Sequence, residues 1–225
     1  ILIQSIINKY YLGLNESVKW VVEGSTLNVD FMTPTKDVIG SVSCDNFDLE
    51  DCKLAIYDTK KLQNLISICS GDLLLELTKN NALNTKLKIS DLNFNLTYAL
   101  SDPLLIGKVG TVNDAEWVVE VNLETEDVSN LITTTNLDNE NVIEFVFGDE
   151  SGHNNKIAYQ MPGIIKEENM KLPFNSDTLK TILQANKDMG GGKLYLSSMG
   201  LMKLEFSNEG VSSVYFMVRR SESEF

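Results

Sequence analysis

A chain of 225 residues with 43% hydrophobic content is long enough for one large or two ordinary domains, each with its own buried core. Its net charge of −13 excludes a protein that grips phosphate over its whole surface, so any nucleic-acid contact must be confined to a local face. No run approaches the ~18 apolar residues that span a bilayer, and polar Gln4, Ser5, Asn8 and Lys9 interrupt the opening segment, so neither a membrane anchor nor a signal peptide is expected.

The first predicted element is a short helix, marked by Ile3, Ile6, Ile7 and Tyr10 at helical spacing. Alternating or β-branched runs then predict strands over SVKWVVEG, STLNVDFM, VIGSVSC and CKLAIYD. Leu62, Leu65, Ile66 and Cys69 mark a second helix, with Asp58 placed to cap it. The strands DLLLELT, TKLKIS and LNFNLTYAL follow. Ser101 to Ala115 reads as a connector, because Pro103, Gly107 and Gly110 interrupt regular structure, yet it displays Leu104, Leu105 and Ile106. Beyond it come the strand EWVVEVNLE and a third helix on Val128, Leu131 and Ile132, for which Thr125 is the expected N-cap. VIEFVFG, the polar run DESGHNN, KIAYQMPGI and KLPFN lead to a fourth helix on Leu179, Ile182 and Leu183, with Ser176 as its expected cap. The last strands are KLYLSS, LMKLEFS and VSSVYFMVRR.

Leu54 to Asp58 followed by Leu62 and Ile66 parallels Leu172 to Ser176 followed by Leu179 and Leu183, and a strand meander follows in both cases. A duplicated unit explains this parallel. The expected fold class is therefore α+β: two similar domains, residues 1–100 and 116–225, joined by the connector 101–115, each with two helices on one face of an antiparallel sheet.

Residues 1–110 hold ten Lys/Arg against thirteen Asp/Glu, and residues 111–225 nine against nineteen. Against that acidic background, the polar faces of the four helices carry no carboxylate past their first turns until Asp188. They do carry Lys9, Lys60, Lys61, Lys180 and Lys187, which makes them the candidate surface beside phosphate. Enzymatic chemistry finds little material. Cys44, Cys52 and Cys69 form no C-x-x-C pair, His153 is the single histidine and sits in a polar run, and GGGK follows a helix and opens a strand, the reverse of a phosphate-binding loop. Asp48, Glu50 and Asp51 lack the register of a calcium loop, and Trp20, Trp117, Tyr57 and Phe206 lie in strand runs as expected core. No cofactor is expected, and the cysteine usage reads as intracellular and reduced.

Two stretches, CKLAIYDTKKLQNLISICSGDLLLEL and KLPFNSDTLKTILQANKDMGGGKLYLSSMGLMKLEFSNEGVSSVYFMVRRSESEF, resemble the sliding clamps, most nearly those of T4-like bacteriophages. The resemblance implies a non-enzymatic DNA polymerase processivity factor. It would form a closed homotrimeric ring around double-stranded DNA, loaded by a clamp loader in the cytoplasm of an infected bacterial host. It also implies a groove for partner peptides lined by Met32, Val38, Ile39, Leu104, Leu105, Ile106, Phe216 and Val218. Family clamps usually place three strands between the third helix and KLPFN, where two are readable here. The competing expectation is a β-rich structural or scaffolding protein of a virion that does not bind DNA, with a DNA-modifying enzyme third.

Overall fold

The computed structural model describes residues 2–81, 83–113, 115–136, 142–147, 164–165 and 170–219. The chain divides into two compact units. Unit 1 comprises Ile1–Gly110 with Glu209–Ser213, and unit 2 comprises Thr111–Asn208 with Val214–Phe225.

Unit 1 opens with α1 (Leu2–Tyr11), whose Ile3, Ile6, Ile7 and Tyr10 are buried. The strands β1 (Val18–Glu23), β2 (Thr26–Met32), β3 (Val38–Cys44) and β4 (Cys52–Ile56) form an antiparallel layer in the order β3-β2-β1-β4. Alternation decides which residues reach the core: Val18, Trp20 and Val22 of β1 are buried, while Lys19 and Val21 are half-buried and Glu23 is exposed on the other face. After β4, Asp58 caps α2 (Thr59–Ser67) by accepting from Lys61 N at 2.8 Å, as expected. The meander β5 (Leu74–Asn80), β6 (Leu83–Ser90) and β7 (Asn95–Ala99) forms a second, three-stranded antiparallel layer. Trp20 Nε1 donates to the Tyr10 hydroxyl at 3.3 Å, deep in the core, and burial pushes that phenol's pKa up.

Unit 2 has the same succession of helix, strands, helix and meander, behind a leading strand. β8 (Val119–Glu124) runs into α3 (Thr125–Asn136), followed by β9 (Val142–Phe147), β10 (Ile164–Ile165) and β11 (Met170–Asn175). Then come α4 (Ser176–Ala185) and the meander β12 (Gly191–Leu196), β13 (Leu201–Asn208) and β14 (Val211–Val218). Strands run β10-β8-β12-β13-β14, and β11 pairs antiparallel with β9. Of the run expected as KIAYQMPGI, only Ile164 lies among the described residues.

The unit 2 helix starts differ from expectation by one residue. Asn175 caps α4 by accepting from Thr178 N at 3.0 Å, whereas Ser176 already lies inside the helix with its hydroxyl buried and without a hydrogen-bond partner among the described residues. Thr125 is likewise inside α3 and donates to Gly190 O at 2.9 Å, while the Asp127 carboxylate reaches back to Glu124 N at 2.9 Å. Tyr57 departs from the core expectation too: it is 45% exposed and packs beside Tyr98, ring centroids 6.1 Å apart. Trp20 and Phe206 are buried, and Trp117 is half-buried.

Candidate functional sites: a connector cavity and the polar helix faces

The face of β1 and β2 turned away from the buried core presents Lys19, Val21 and Glu23 beside Asn28, Asp30 and Met32, with Val21 paired to Asn28. The connector covers part of it. Ser101 N donates to Ala55 O at 3.2 Å, and Asp102 then caps a 3-10 turn, Pro103–Leu105, by accepting from Leu104 N at 2.8 Å. Together they border a half-open cavity of about 620 Å³. Val21, Met32, Leu105, Ile106 and Val109 give it an apolar lining, Lys19, Glu23, Asp30 and Lys108 add charges of both signs, and Phe31, whose ring is buried on the core face of β2, contributes no exposed ring. A partly apolar trough with a few polar groups, lying along strands, suits an extended peptide with apolar anchors.

Of the expected groove residues, Met32, Leu105 and Ile106 line this cavity. Leu104 is 89% exposed on the outer side of the 3-10 turn and is not part of the lining. Val38 corrects the expectation: it is fully buried, because alternation along β3 sends it inward and leaves half-buried Ile39 on the opposite face. Neither lines the cavity. In unit 2, Val218 is exposed and Phe216 is half-buried, with the Lys203 ammonium 5.9 Å from its ring and 5.1 Å from that of Tyr195. Tyr195 also donates to the Glu205 carboxylate, and desolvation followed by that charge raises its pKa to about 12. The sequence reading missed Lys19, Val21, Asp30, Lys108 and Val109. The outward positions of β1 and β2 were readable by alternation, but the connector's descent onto them was not.

The helix faces form the second site. Lys60 and Lys61 are exposed on α2, Lys180 is half-buried on α4, and Lys187 is exposed in the 3-10 turn Lys187–Met189. Lys60 is held in place: its ammonium donates to Gln63 Oε1 at 3.1 Å and lies 6.0 Å from the Tyr11 ring centroid. Gln63 donates in turn to Asn8 Oδ1 at 2.8 Å, which ties α2 to α1. Lys9 departs from the expected surface. It is fully buried and donates to Ser5 Oγ at 2.8 Å, one helical turn back. With Ile6, Ile7, Tyr10 and Tyr11 also buried, α1 has little free circumference left for it.

Burial raises the pKa of all three cysteines, Cys52 to about 11, which disfavours their thiolate forms. Among the described residues no group of three or more His, Cys, Asp and Glu could hold a metal ion, and His153 lies outside those residues. The glycine run has a packing cause. A Cβ at Gly191 would meet Leu123 O at 2.4 Å and one at Gly192 would meet Glu205 O at 2.5 Å, while Gly190, at φ +77°, ends the 3-10 turn. Among the described residues no helix is long and apolar enough to cross a membrane.

No protein-family profile and no curated protein matches the chain. Solved structures do. It superposes on A. fulgidus PCNA, in the structure with the C-terminal region of FEN-1 bound, at a TM-score of 0.76 and 16% identity, covering 98% of this chain and 96% of that one. PCNA from Thermococcus kodakaraensis gives 0.75 and 14%, covering 97% and 96%. PCNA from Entamoeba histolytica gives 0.73 and 13%, covering 98% and 95%. At such identities the likeness establishes the fold, the α+β fold of the PCNA-type DNA clamps.

Proposed function

We propose that this chain is a sliding clamp: three copies close head to tail around double-stranded DNA and tether a replicative DNA polymerase, with a clamp loader opening the ring. One observation carries the reading. In a clamp fold of net charge −13, the polar faces of α2 and α4 and the turn after α4 carry Lys60, Lys61, Lys180 and Lys187, and past the first turns the helices carry no carboxylate until Asp188 in that turn. Few cations suit such a task. A topologically closed ring is retained without tight binding, and weak phosphate contacts permit sliding. The acidic remainder repels DNA elsewhere. The protein positions other enzymes and performs no bond chemistry of its own.

The cavity beneath the connector supports capture of a partner's peptide, as the C-terminal region of FEN-1 is bound by A. fulgidus PCNA. The groove is proposed as Met32, Leu105 and Ile106 with the newly found Val21 and Val109. The narrower reading, a clamp of a T4-like phage working in the cytoplasm of an infected bacterium, rests on the two quoted stretches. Sedimentation at micromolar concentration, with retention on duplex DNA blocked at both ends, tests the proposal. A compact trimer lost only from free-ended DNA is expected. An open filament, or equal loss from blocked and free ends, would overturn it in favour of a scaffolding protein.

A further inference from the structure

The two helices of unit 2 differ in what they offer a phosphate. α4 and the turn after it bring Lys180 and Lys187. Past Glu126 and Asp127 in its first turn, α3 has no ionisable side chain at all, and its outer positions are Ser129, Asn130, Thr133 and Thr134. The three hydroxyls all point back along the helix. Ser129 Oγ donates to Thr125 O at 3.0 Å, Thr133 Oγ1 to Ser129 O at 3.0 Å, and Thr134 Oγ1 to Asn130 O at 2.9 Å. A hydroxyl has a single proton, and here each proton is taken by a backbone carbonyl, so what faces outward is lone pairs. A phosphate oxygen accepts hydrogen bonds and cannot donate one. Those hydroxyls therefore offer it nothing unless a helix-internal bond is broken first.

Resting on the clamp reading, we infer that α3 is a weakly gripping wall of the DNA path, offering a phosphate only the neutral Asn130 amide, and that the charged phosphate contacts of unit 2 come from Lys180 and Lys187. The hydroxyls keep the helix wetted and polar without adding donors of their own, which leaves the Asn130 amide as the one donor among those four side chains. Adding cations there would turn a bearing surface into a brake.

The test compares three variants of the full chain with the wild type on a fluorescent duplex blocked at both ends, with helix content followed by circular dichroism. Ser129→Ala/Thr133→Ala/Thr134→Ala is expected to leave retention within about twofold, since it removes no phosphate donor. Lys180→Glu/Lys187→Glu is expected to shorten retention severalfold. Thr133→Lys/Thr134→Lys is expected to lengthen it and to steepen the dependence of log affinity on log salt by roughly 2 for each engaged subunit. Loss in the alanine variant equal to that in the glutamate variant, at unchanged helix content, would sink the inference and leave the clamp standing. Wild-type protein lost equally from blocked and free-ended duplex would sink both.

Discussion

Leu105 separates a docking residue from a core residue by magnitude. Its side chain is 78% exposed at the mouth of the cavity. Full burial of a leucine is worth about 2.5 kcal/mol, so the folded chain gains only about 0.5 kcal/mol from the fifth that is covered. A peptide that covers the remainder gains about 2 kcal/mol, or roughly 30-fold in affinity. Leu105→Ser should therefore lower the melting temperature by only about 1–2 °C. The same change should weaken binding of a C-terminal peptide of the cognate replicative polymerase by more than about tenfold in calorimetric titration. Leu104→Ser, one residue earlier, 89% exposed and outside the cavity, serves as the control and should change neither. The reasoning is refuted if Leu105→Ser costs as much stability as affinity, or if Leu104→Ser matches it in weakening the peptide.

Charge reversal at Lys61 and Lys180 should shorten retention on end-blocked DNA, whereas reversal at Lys36 in an exposed turn and at Lys53 on β4 should not; equal effects would remove the helices from the DNA path. Lys203 is unsuitable as a control because it is tied to Tyr195, Phe216 and Glu205. Tyr98→Phe should destabilise the protein by about 1–3 kcal/mol in urea titration, because the Tyr98 hydroxyl accepts from Asp58 N at 3.0 Å and donates to Asp58 O at 3.1 Å. The Tyr98 pKa is raised to about 12, chiefly by desolvation, so its contribution is whole below the unfolded value near 10 and should drain away as pH rises toward 12. A melting temperature that does not fall over that window, or falls equally in Tyr98→Phe, would count against this. Gly192→Ala should cost about 1–3 kcal/mol, since its Cβ would lie 2.5 Å from Glu205 O and 2.6 Å from the Phe206 ring; an unchanged thermal melt would refute that packing.

Local chemistry accounts for what was legible in the sequence. The helices on Ile3, Leu62, Val128 and Leu179, the strand runs between them apart from KIAYQMPGI, which lies outside the described residues but for Ile164, and the Asp58 cap follow from periodicity and hydrogen-bonding groups a few residues apart. So does the repeat of those elements, which carries the α+β fold. The depletion of carboxylates on the helix faces needed only a helical wheel. Tertiary structure decided the rest, because each remaining question depends on a neighbour far along the chain. Period two places Val38 and Ile39 on opposite faces of β3, but only the sheet shows which face is covered. A lysine at Lys9 reads as solvent-exposed until packing encloses α1 and Ser5 takes up its ammonium. The cavity exists because Ser101 and Asp102 dock the connector so that Leu105 to Val109 lie against Val21 and Met32, residues some eighty positions earlier in the chain. Such long-range closure leaves no local trace: what the connector covers is set by the register of a sheet assembled from other segments.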